Sequence, residues 1–112
     1  GQVTTSTPEG RDVRTAGYPV RVAELIATLS GAAYVVRRTA TNPGNITRLK
    51  RAVITAFKVQ LAGLGYSLVE VISNCPTNWG LTPKESIRWV EEKMLPYYPL
   101  GDYKVLDAVR EL

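Results

Sequence analysis

Histidine is absent from this sequence, and cysteine occurs once, as Cys75. Without histidine, the chain cannot build a Ser-His-Asp or Cys-His catalytic arrangement from its own residues. A single cysteine excludes an internal disulfide, and a zinc site cannot be made from it alone. The apolar runs are far shorter than a membrane span, and no signal-peptide pattern is present. Any chemistry at this chain therefore needs groups from outside it.

The composition is that of a soluble domain of modest size. The chain has 112 residues, of which 45% are hydrophobic and 21% are charged, enough for one domain with one core. Its 14 Lys and Arg against 10 Asp and Glu give a net charge of +4. The basic residues are scattered and the tyrosines are not interleaved with them, so we expect no nucleic-acid partner. A lone thiol fits a reducing, cytoplasmic compartment.

Turn residues and apolar periodicity divide the chain into three parts. Residues 1–18 are polar and are predicted to form an irregular N-terminal arm. Residues 19–103 are predicted to form an incomplete α/β domain, and residues 104–112 a C-terminal tail with a short helix. Because Gly1 stands in a polar segment without a capping or strand signal, we expect it to be the cut edge of a longer protein.

Two helices are predicted in the first half of the domain. The first covers about residues 20–30 and is expected to end at Gly31 in the left-handed conformation. The second follows an N-cap at Asn45 and carries one apolar stripe, made of Ile46, Leu49, Val53, Ala56, Phe57, Leu61 and Leu64. Its basic residues lie mainly off that stripe, and they form either a solvated face or an electrostatic docking surface: Arg48, Lys50, Arg51 and Lys58.

Two strands are predicted, at residues 32–37 and 66–72, from their β-branched and apolar residues. We expect the second of them to be the buried, central strand of the domain. The long helix between them implies parallel strands joined by a right-handed crossover. Two parallel strands do not make a stable sheet alone, so we expect the chain to be part of something larger or to self-associate.

Three charged residues lie on these strands. Arg37 and Arg38 mark the predicted carboxyl end of the first strand, where they either remain solvated or meet an anionic ligand or a partner carboxylate. Glu70 interrupts the apolar run of the second strand. An unpaired carboxylate in a core is costly, so an ion pair with an arginine of the neighbouring strand is favoured over a catalytic role.

Cys75 follows the second predicted strand, in a polar turn at residues 73–80. Ligands of open α/β sheets bind beyond the carboxyl ends of the strands. Three interpretations of the thiol remain open: an inert core cysteine, a reactive thiolate, or one ligand of a metal or iron–sulfur site completed from outside. A helix is predicted next, with Thr82 as N-cap, Pro83 at its first position and Glu85 completing a capping box.

Several blocks of this sequence resemble the beta subunit of 2-oxoacid:ferredoxin oxidoreductases, which binds thiamine diphosphate. The most specific block is Cys-Pro-Thr-Asn-Trp-Gly at residues 75–80, followed by Tyr-Pro-Leu-Gly at 98–101. Further blocks lie at residues 1–11, 16–19, 29–34 and 65–71. The resemblance covers nearly the whole chain and is greatest to the 2-oxoglutarate and 2-oxoisovalerate branch.

The resemblance implies the fold and cofactors of that family. The chain would be the C-terminal part of a thiamine-diphosphate-binding α/β fold, with parallel strands and flanking helices in the order helix, strand, helix, strand, helix. The complete enzyme would contain thiamine diphosphate, Mg²⁺ and a 4Fe-4S cluster. It would oxidatively decarboxylate a 2-oxoacid, transfer the acyl group to coenzyme A and reduce ferredoxin.

The resemblance also implies roles for individual residues. Cys75 falls on the position of the fourth cluster ligand, and Thr77 and Asn78 are expected to donate hydrogen bonds near the cluster sulfurs. Asn74 stands where the family usually has Pro or Thr. Stretches that bind the Mg²⁺–diphosphate group, and the other cluster cysteines, have no counterpart in this chain.

The partners implied are the rest of the beta subunit, an alpha subunit, gamma and delta subunits where these are separate, and ferredoxin. No catalytic residue is assigned, no membrane partner is expected, and the chain alone is predicted to be inactive. The alternative from a different class is a non-catalytic α/β protein-interaction module that docks through its N-terminal arm and basic helix.

Overall fold

The computed structural model describes residues 1–4 and 7–112. Thr5 and Ser6 of the predicted N-terminal arm lie outside the described residues. The elements follow one another as α1 (Val13–Ala16), α2 (Val22–Ala27), β1 (Ala32–Thr39), α3 (Pro43–Leu61), β2 (Tyr66–Ile72), α4 (Pro76–Trp79), α5 (Pro83–Trp89), a π-helical turn (Val90–Met94), β3 (Gly101–Val105) and α6 (Asp107–Arg110).

The strands form one sheet in the order β2-β1-β3. β1 and β2 are parallel, as predicted from the long helix between them. β3 runs antiparallel to β1 on its other side and was not predicted. It includes Lys104 and Val105, which belong to the predicted C-terminal tail. The domain boundary predicted after residue 103 falls within this strand.

The central strand is β1, so the prediction that residues 66–72 are central and buried is wrong. Every residue of β1 except Arg38 is buried, whereas in β2 only Ile72 is. Among the described residues, β1 has a hydrogen-bonded neighbour on each side, and β2 has one only on the β1 side. An apolar run alone did not distinguish the two positions, because it specifies burial of side chains but not the number of neighbouring strands.

Helices cover both faces of the sheet. α3 and α6 pack on the face that Tyr34 and Val36 share, together with Ala52, Val59 and Val109. α2 packs on the opposite face, where Ala23 and Val35 belong to a second cluster. A third cluster lies beyond the carboxyl end of β2 and joins Ile72 to the α5 region through Val90 and Tyr98. The core thus follows the sheet and continues into the segment after Cys75.

α2 is shorter than predicted and ends differently. It begins after Arg21 and ends at Ala27, with Thr28 as its C-cap. Gly31 does not take up the expected left-handed conformation. The chain instead turns into β1 through a hydrogen bond from the Ala32 N–H to the Leu29 carbonyl, 3.1 Å long. The carbonyl of Gly31 accepts from the Tyr66 N–H at 2.9 Å, which ties this turn to the start of β2.

α3 begins earlier than predicted, because its N-cap is Asn42 rather than Asn45. The Asn42 Oδ1 accepts from the Asn45 N–H at 2.8 Å, and Pro43 occupies the first turn, where no N–H is needed. The predicted apolar stripe is buried only in part. Two of its members, Ala56 and Leu64, pack against the core beside Ala52 and Val59, while Phe57 is 67% and Leu61 90% exposed.

α5 confirms the predicted capping box. The Thr82 Oγ1 accepts from the Glu85 N–H at 3.2 Å, and the Glu85 carboxylate accepts from the Thr82 N–H at 2.9 Å. Hydrogen bonds from Thr82 lower the pKa of Glu85 below its ordinary value. Within residues 1–4 and 7–112, no helix is long and apolar enough to cross a membrane.

Gly65, between α3 and β2, is a position where only glycine fits. Its φ is +137°, and a Cβ there would lie 2.7 Å from the Gly31 carbonyl oxygen and 3.2 Å from the Cβ of Ala33. We expect Gly65→Ala to lower the free energy of unfolding by about 2 kcal/mol or more, through backbone strain and displacement of β1.

The matched control is Gly63→Ala in the same loop. Gly63 also has a positive φ, +65°, but a Cβ there meets nothing within 4 Å, so the expected loss is about 1 kcal/mol. Urea unfolding measures both losses. Equal losses at the two positions would show that close packing against Gly31 does not matter.

Candidate functional site

Cys75 lies beyond the carboxyl end of the parallel strand pair. β2 ends at Ile72, which is opposite Thr39, the last residue of β1. The Thr39 hydroxyl donates to the Ile72 carbonyl at 2.7 Å and holds the two strand ends together. The chain then passes through Ser73 and Asn74 to Cys75. The structure therefore places the thiol on the side of the sheet that the sequence predicted.

The Cys75 side chain is half-buried and belongs to none of the three hydrophobic clusters. It is thus not a core cysteine. Cys75 is the N-cap of α4, a single turn that ends at Gly80 in the left-handed conformation. The Asn78 Nδ2 donates to the Cys75 Sγ at 3.0 Å. A hydrogen bond of this kind, from a neighbouring side chain to the sulfur, is what orients and tunes a cysteine that serves as a metal ligand.

The loop that carries Cys75 is anchored to α5 through Asn74. The Asn74 Nδ2 donates to the hydroxyl of the buried Ser86 at 2.7 Å, and that hydroxyl donates to the Pro83 carbonyl at 2.7 Å. The residue that departs from the family pattern therefore has a structural partner on the next helix. The capping box at the start of α5 fixes this helix end, and through Asn74 it fixes the cysteine loop.

The two tryptophans lie together on one side of the cysteine loop. Trp79 of α4 and Trp89 of α5 have ring centroids 6.2 Å apart, inclined at 47°. Trp79 packs against the cluster of Ile72, Val90 and Tyr98. Thr77, the other predicted donor, has an exposed side chain on the same turn.

Among the described residues, the buried charged side chain is that of Arg37, near the carboxyl end of β1. Its side chain is 0% exposed, so the expectation of a solvated strand end is wrong for this residue. The Nε donates to the Glu70 Oε2 at 2.7 Å, which confirms the predicted ion pair between neighbouring strands. Residues 37 and 70 are direct partners in the parallel register.

Arg37 has a second carboxylate partner that the sequence did not indicate. Its two terminal nitrogens donate to the two oxygens of Glu24, at 2.9 and 2.6 Å. It also donates to the Tyr103 hydroxyl at 2.9 Å and to the Pro99 carbonyl at 3.2 Å. One guanidinium therefore links α2, β1, β2 and β3.

The pKa values in this network follow from the guanidinium. The hydrogen bonds from Arg37 hold the pKa of the Glu24 carboxyl below its ordinary value. Burial by itself lowers the pKa of Arg37, but hydrogen bonds to Glu24 and Glu70 outweigh it, so the net shift is upward and the side chain stays charged. Burial raises the pKa of Tyr103. The network contains one cation and two carboxylates in fixed positions, and it is a structural support rather than an acid–base pair.

Arg38 points to the other face of the sheet and makes a separate set of contacts. Its guanidinium donates to Asp102 at 2.6 Å and to the Gly101 carbonyl at 3.0 Å. Both predicted strand-end arginines thus meet carboxylates of this same chain. The partners Glu24, Tyr103 and Asp102 were missed, because their proximity depends on α2 packing and on β3, and no local pattern encodes either.

Within the described ranges, no group of three or more His, Cys, Asp or Glu residues could hold a metal ion. Cys75 is the one thiol of the sequence, and an iron–sulfur cluster takes four thiolates. The side chains around Cys75 fit a contribution of one ligand, with an amide donor beside it.

Comparison with known proteins identifies the relatives. The ketoisovalerate oxidoreductase subunit VorA of Methanothermobacter thermautotrophicus is 36% identical over 111 residues, which are 99% of this chain and 23% of the relative. The 2-oxoglutarate synthase subunit KorB of Archaeoglobus fulgidus is 34% identical over 97 residues, 82% of this chain and 33% of the relative. The chain is thus similar over most of its length to a part of these 2-oxoacid oxidoreductase subunits.

This finding confirms the resemblance drawn from the sequence blocks. A second 2-oxoglutarate synthase subunit KorB, from Methanocaldococcus jannaschii, is 30% identical over 104 residues, 85% of this chain and 36% of the relative. The chain therefore spans between about a quarter and about a third of the 2-oxoacid oxidoreductase subunits that it matches. No family model matches the chain, and no solved structure matches it.

Proposed function

We propose that this chain is part of the beta subunit of a 2-oxoacid:ferredoxin oxidoreductase, the subunit that binds thiamine diphosphate. The complete enzyme oxidatively decarboxylates a 2-oxoacid, forms the acyl-CoA and reduces ferredoxin. The observation that carries the proposal is the match of 99% of the chain to a ketoisovalerate oxidoreductase subunit. The position of Cys75 at the carboxyl edge of the sheet agrees with it.

Within that enzyme, Cys75 is one ligand of a 4Fe-4S cluster whose other ligands lie outside this chain. The thiol is half-buried, lies off the hydrophobic clusters and accepts from the Asn78 amide at 3.0 Å. When bound, such a cluster supplies one-electron transfer. Hydrogen bonds to cluster sulfurs tune the reduction potential, which is the role we assign to Asn78 and, through its exposed hydroxyl, to Thr77.

Catalytic residues are not assigned to this chain. The sequence stretches that would bind thiamine diphosphate and Mg²⁺ have no counterpart in it, and histidine is absent. The residues of this chain hold the cysteine loop in place, through the hydrogen bond from Asn74 to Ser86 and through the third hydrophobic cluster. The isolated chain is accordingly inactive, and the enzyme works in the cytoplasm with its alpha, gamma or delta subunits and with ferredoxin.

Assay of the complete, anaerobically purified enzyme tests this function. We expect reduction of ferredoxin, or of a viologen dye in its place, that requires a 2-oxoacid, coenzyme A and thiamine diphosphate together. 2-Oxoglutarate and 2-oxoisovalerate are the first substrates to compare. Dye reduction that persists without coenzyme A, or none with any 2-oxoacid at full cofactor content, would contradict the proposal.

The alternative, a non-catalytic interaction module, predicts a different cofactor content. It predicts no thiamine diphosphate and no iron in the purified complex that contains the chain. The named relatives are oxidoreductase subunits, and this favours the enzyme.

A further inference from the structure

Ser86 is a buried polar residue near the start of α5, and its hydroxyl has a defined hydrogen-bond direction. The residue is 0% exposed. Its Oγ accepts from the Asn74 Nδ2 at 2.7 Å, because an amide nitrogen can only donate. The hydroxyl hydrogen is therefore left for the Pro83 carbonyl, which lies at 2.7 Å as well. This side chain thus makes one hydrogen bond within its own helix and one to the cysteine loop.

The hydrogen bond between Asn74 and Ser86 closes the segment that carries Cys75. The two residues are 12 positions apart, and Cys75 directly follows Asn74. Asn74 is an exposed residue, yet its amide bonds to a buried hydroxyl. After the thiol, Asn78 donates to the sulfur at 3.0 Å. The chain before Cys75 is therefore tied to α5, and the sulfur itself is tied to the turn that follows it.

We infer that Asn74 and Ser86 are positioning residues for Cys75, and that their hydrogen bond sets how firmly the 4Fe-4S cluster is held and at what potential it is reduced. The inference rests on the proposed function and adds these two properties to it. A 4Fe-4S cluster is held by four ligands together, so displacement of one thiolate weakens the whole set. Loss of a residue that orients a metal ligand typically costs about 10–100-fold in metal affinity or activity.

Asn74→Ala, Ser86→Ala and the double variant test the inference in the complete, anaerobically purified enzyme. Each single variant should lose iron to a ferrous chelator about tenfold faster than wild type, because each breaks the same hydrogen bond. The double variant should lose iron no faster than the single variants, since the second substitution has no further contact to remove. Asn74 is exposed, so its alanine variant keeps the test decisive where Ser86→Ala impairs folding.

The midpoint potential of the cluster is the second measurement, by redox titration followed by electron resonance. The signal that disappears in Cys75→Ala identifies the cluster concerned. Its potential should shift in the same direction and by a similar amount in both single variants. Two controls should keep the wild-type iron loss and potential. Ser73→Ala changes the exposed neighbour of Asn74, and Gly63→Ala lowers stability in the loop before β2, at the other end of that strand.

Three results would overturn the inference while the proposed function stands. The first is unchanged iron loss and potential in both single variants. The second is additive effects in the double variant, which would show that the two residues act separately. The third is equally fast iron loss in Gly63→Ala, which would assign the effect to general destabilisation. A wild-type enzyme that contains no iron would instead overturn the proposed function and this inference together.

Discussion

Cys75→Ala in the complete enzyme is expected to lose the proposed 4Fe-4S cluster and to slow ferredoxin reduction by more than about 100-fold. Loss of a residue that merely supports a metal ligand costs about 10–100-fold, and the loss of the ligand itself should exceed that. The Cys75 thiol lies in the loop after β2 and is half-buried, so alanine leaves little void in the core. Thiamine diphosphate content should therefore be unchanged.

The measurements for this variant are iron and acid-labile sulfide content, the electron-resonance signal of the reduced enzyme, and bound thiamine diphosphate. Ser73→Ala is the control on the same loop, because Ser73 is exposed and carries no thiol. It should keep the cluster and the rate. A Cys75→Ala enzyme with full iron content and normal electron transfer would refute the ligand assignment and leave the similarity to 2-oxoacid oxidoreductase subunits intact.

Arg37→Met is expected to be the most destabilising of the substitutions considered in this chain, at about 3 kcal/mol. Removing one partner of a buried ion pair leaves the other charge uncompensated, which typically costs about 3–5 kcal/mol. The lower end applies because the Glu24 and Glu70 side chains are 32% and 20% exposed and regain some hydration. The Tyr103 hydroxyl and the Pro99 carbonyl lose a donor as well.

The neighbouring arginine provides the control. Arg38 pairs with Asp102, whose side chain is 52% exposed, so Arg38→Met should cost about 1 kcal/mol or less. Both values are obtained from guanidinium chloride unfolding of the complete subunit. Similar losses for the two variants would show that the Arg37 network contributes no more than an ordinary surface pair.

The pH dependence of unfolding is a further test of whether the Arg37 network contributes more to stability than an ordinary surface ion pair. Arg37 lowers the pKa of Glu24 from its ordinary 4.5. The stabilisation by this pair is therefore fully present above about pH 4.5, and it is lost as the pH falls through the lower pKa of the folded state. In Arg37→Met the carboxylate has no cation to favour its charged form. The difference in stability between wild type and variant should consequently shrink in acid.

The local elements of this fold were predictable from the sequence, and the long-range ones were not. The two parallel strands, the long helix between them and the capping box at Thr82 follow from patterns of neighbouring residues. The ion pair between Arg37 and Glu70 was predictable too, because parallel pairing of two recognised strands brings their charged residues together. β3 was missed because it is short and polar, Gly-Asp-Tyr-Lys-Val, and it is a strand only because β1 offers it a partner.

The apolar stripe of α3 shows why the buried side of a helix was harder to predict than the helix itself. The sequence offers two apolar sides on this helix, and the larger residues lie on the uncovered one. Small side chains such as Ala52 and Ala56 face the sheet, since they let the helix approach it closely. A periodicity argument assigns the larger residues to the core, because it has no information about which side of the helix the sheet covers.

The Arg37 contacts also constrain when the molecule can complete its fold during synthesis. The guanidinium meets partners that are 13, 33, 62 and 66 residues away along the chain. A polypeptide emerging from the ribosome therefore cannot complete the contacts of this arginine until Tyr103 has left the exit tunnel, and shorter intermediates lack its Pro99 and Tyr103 partners. The domain can therefore complete its fold only after β3 has been translated.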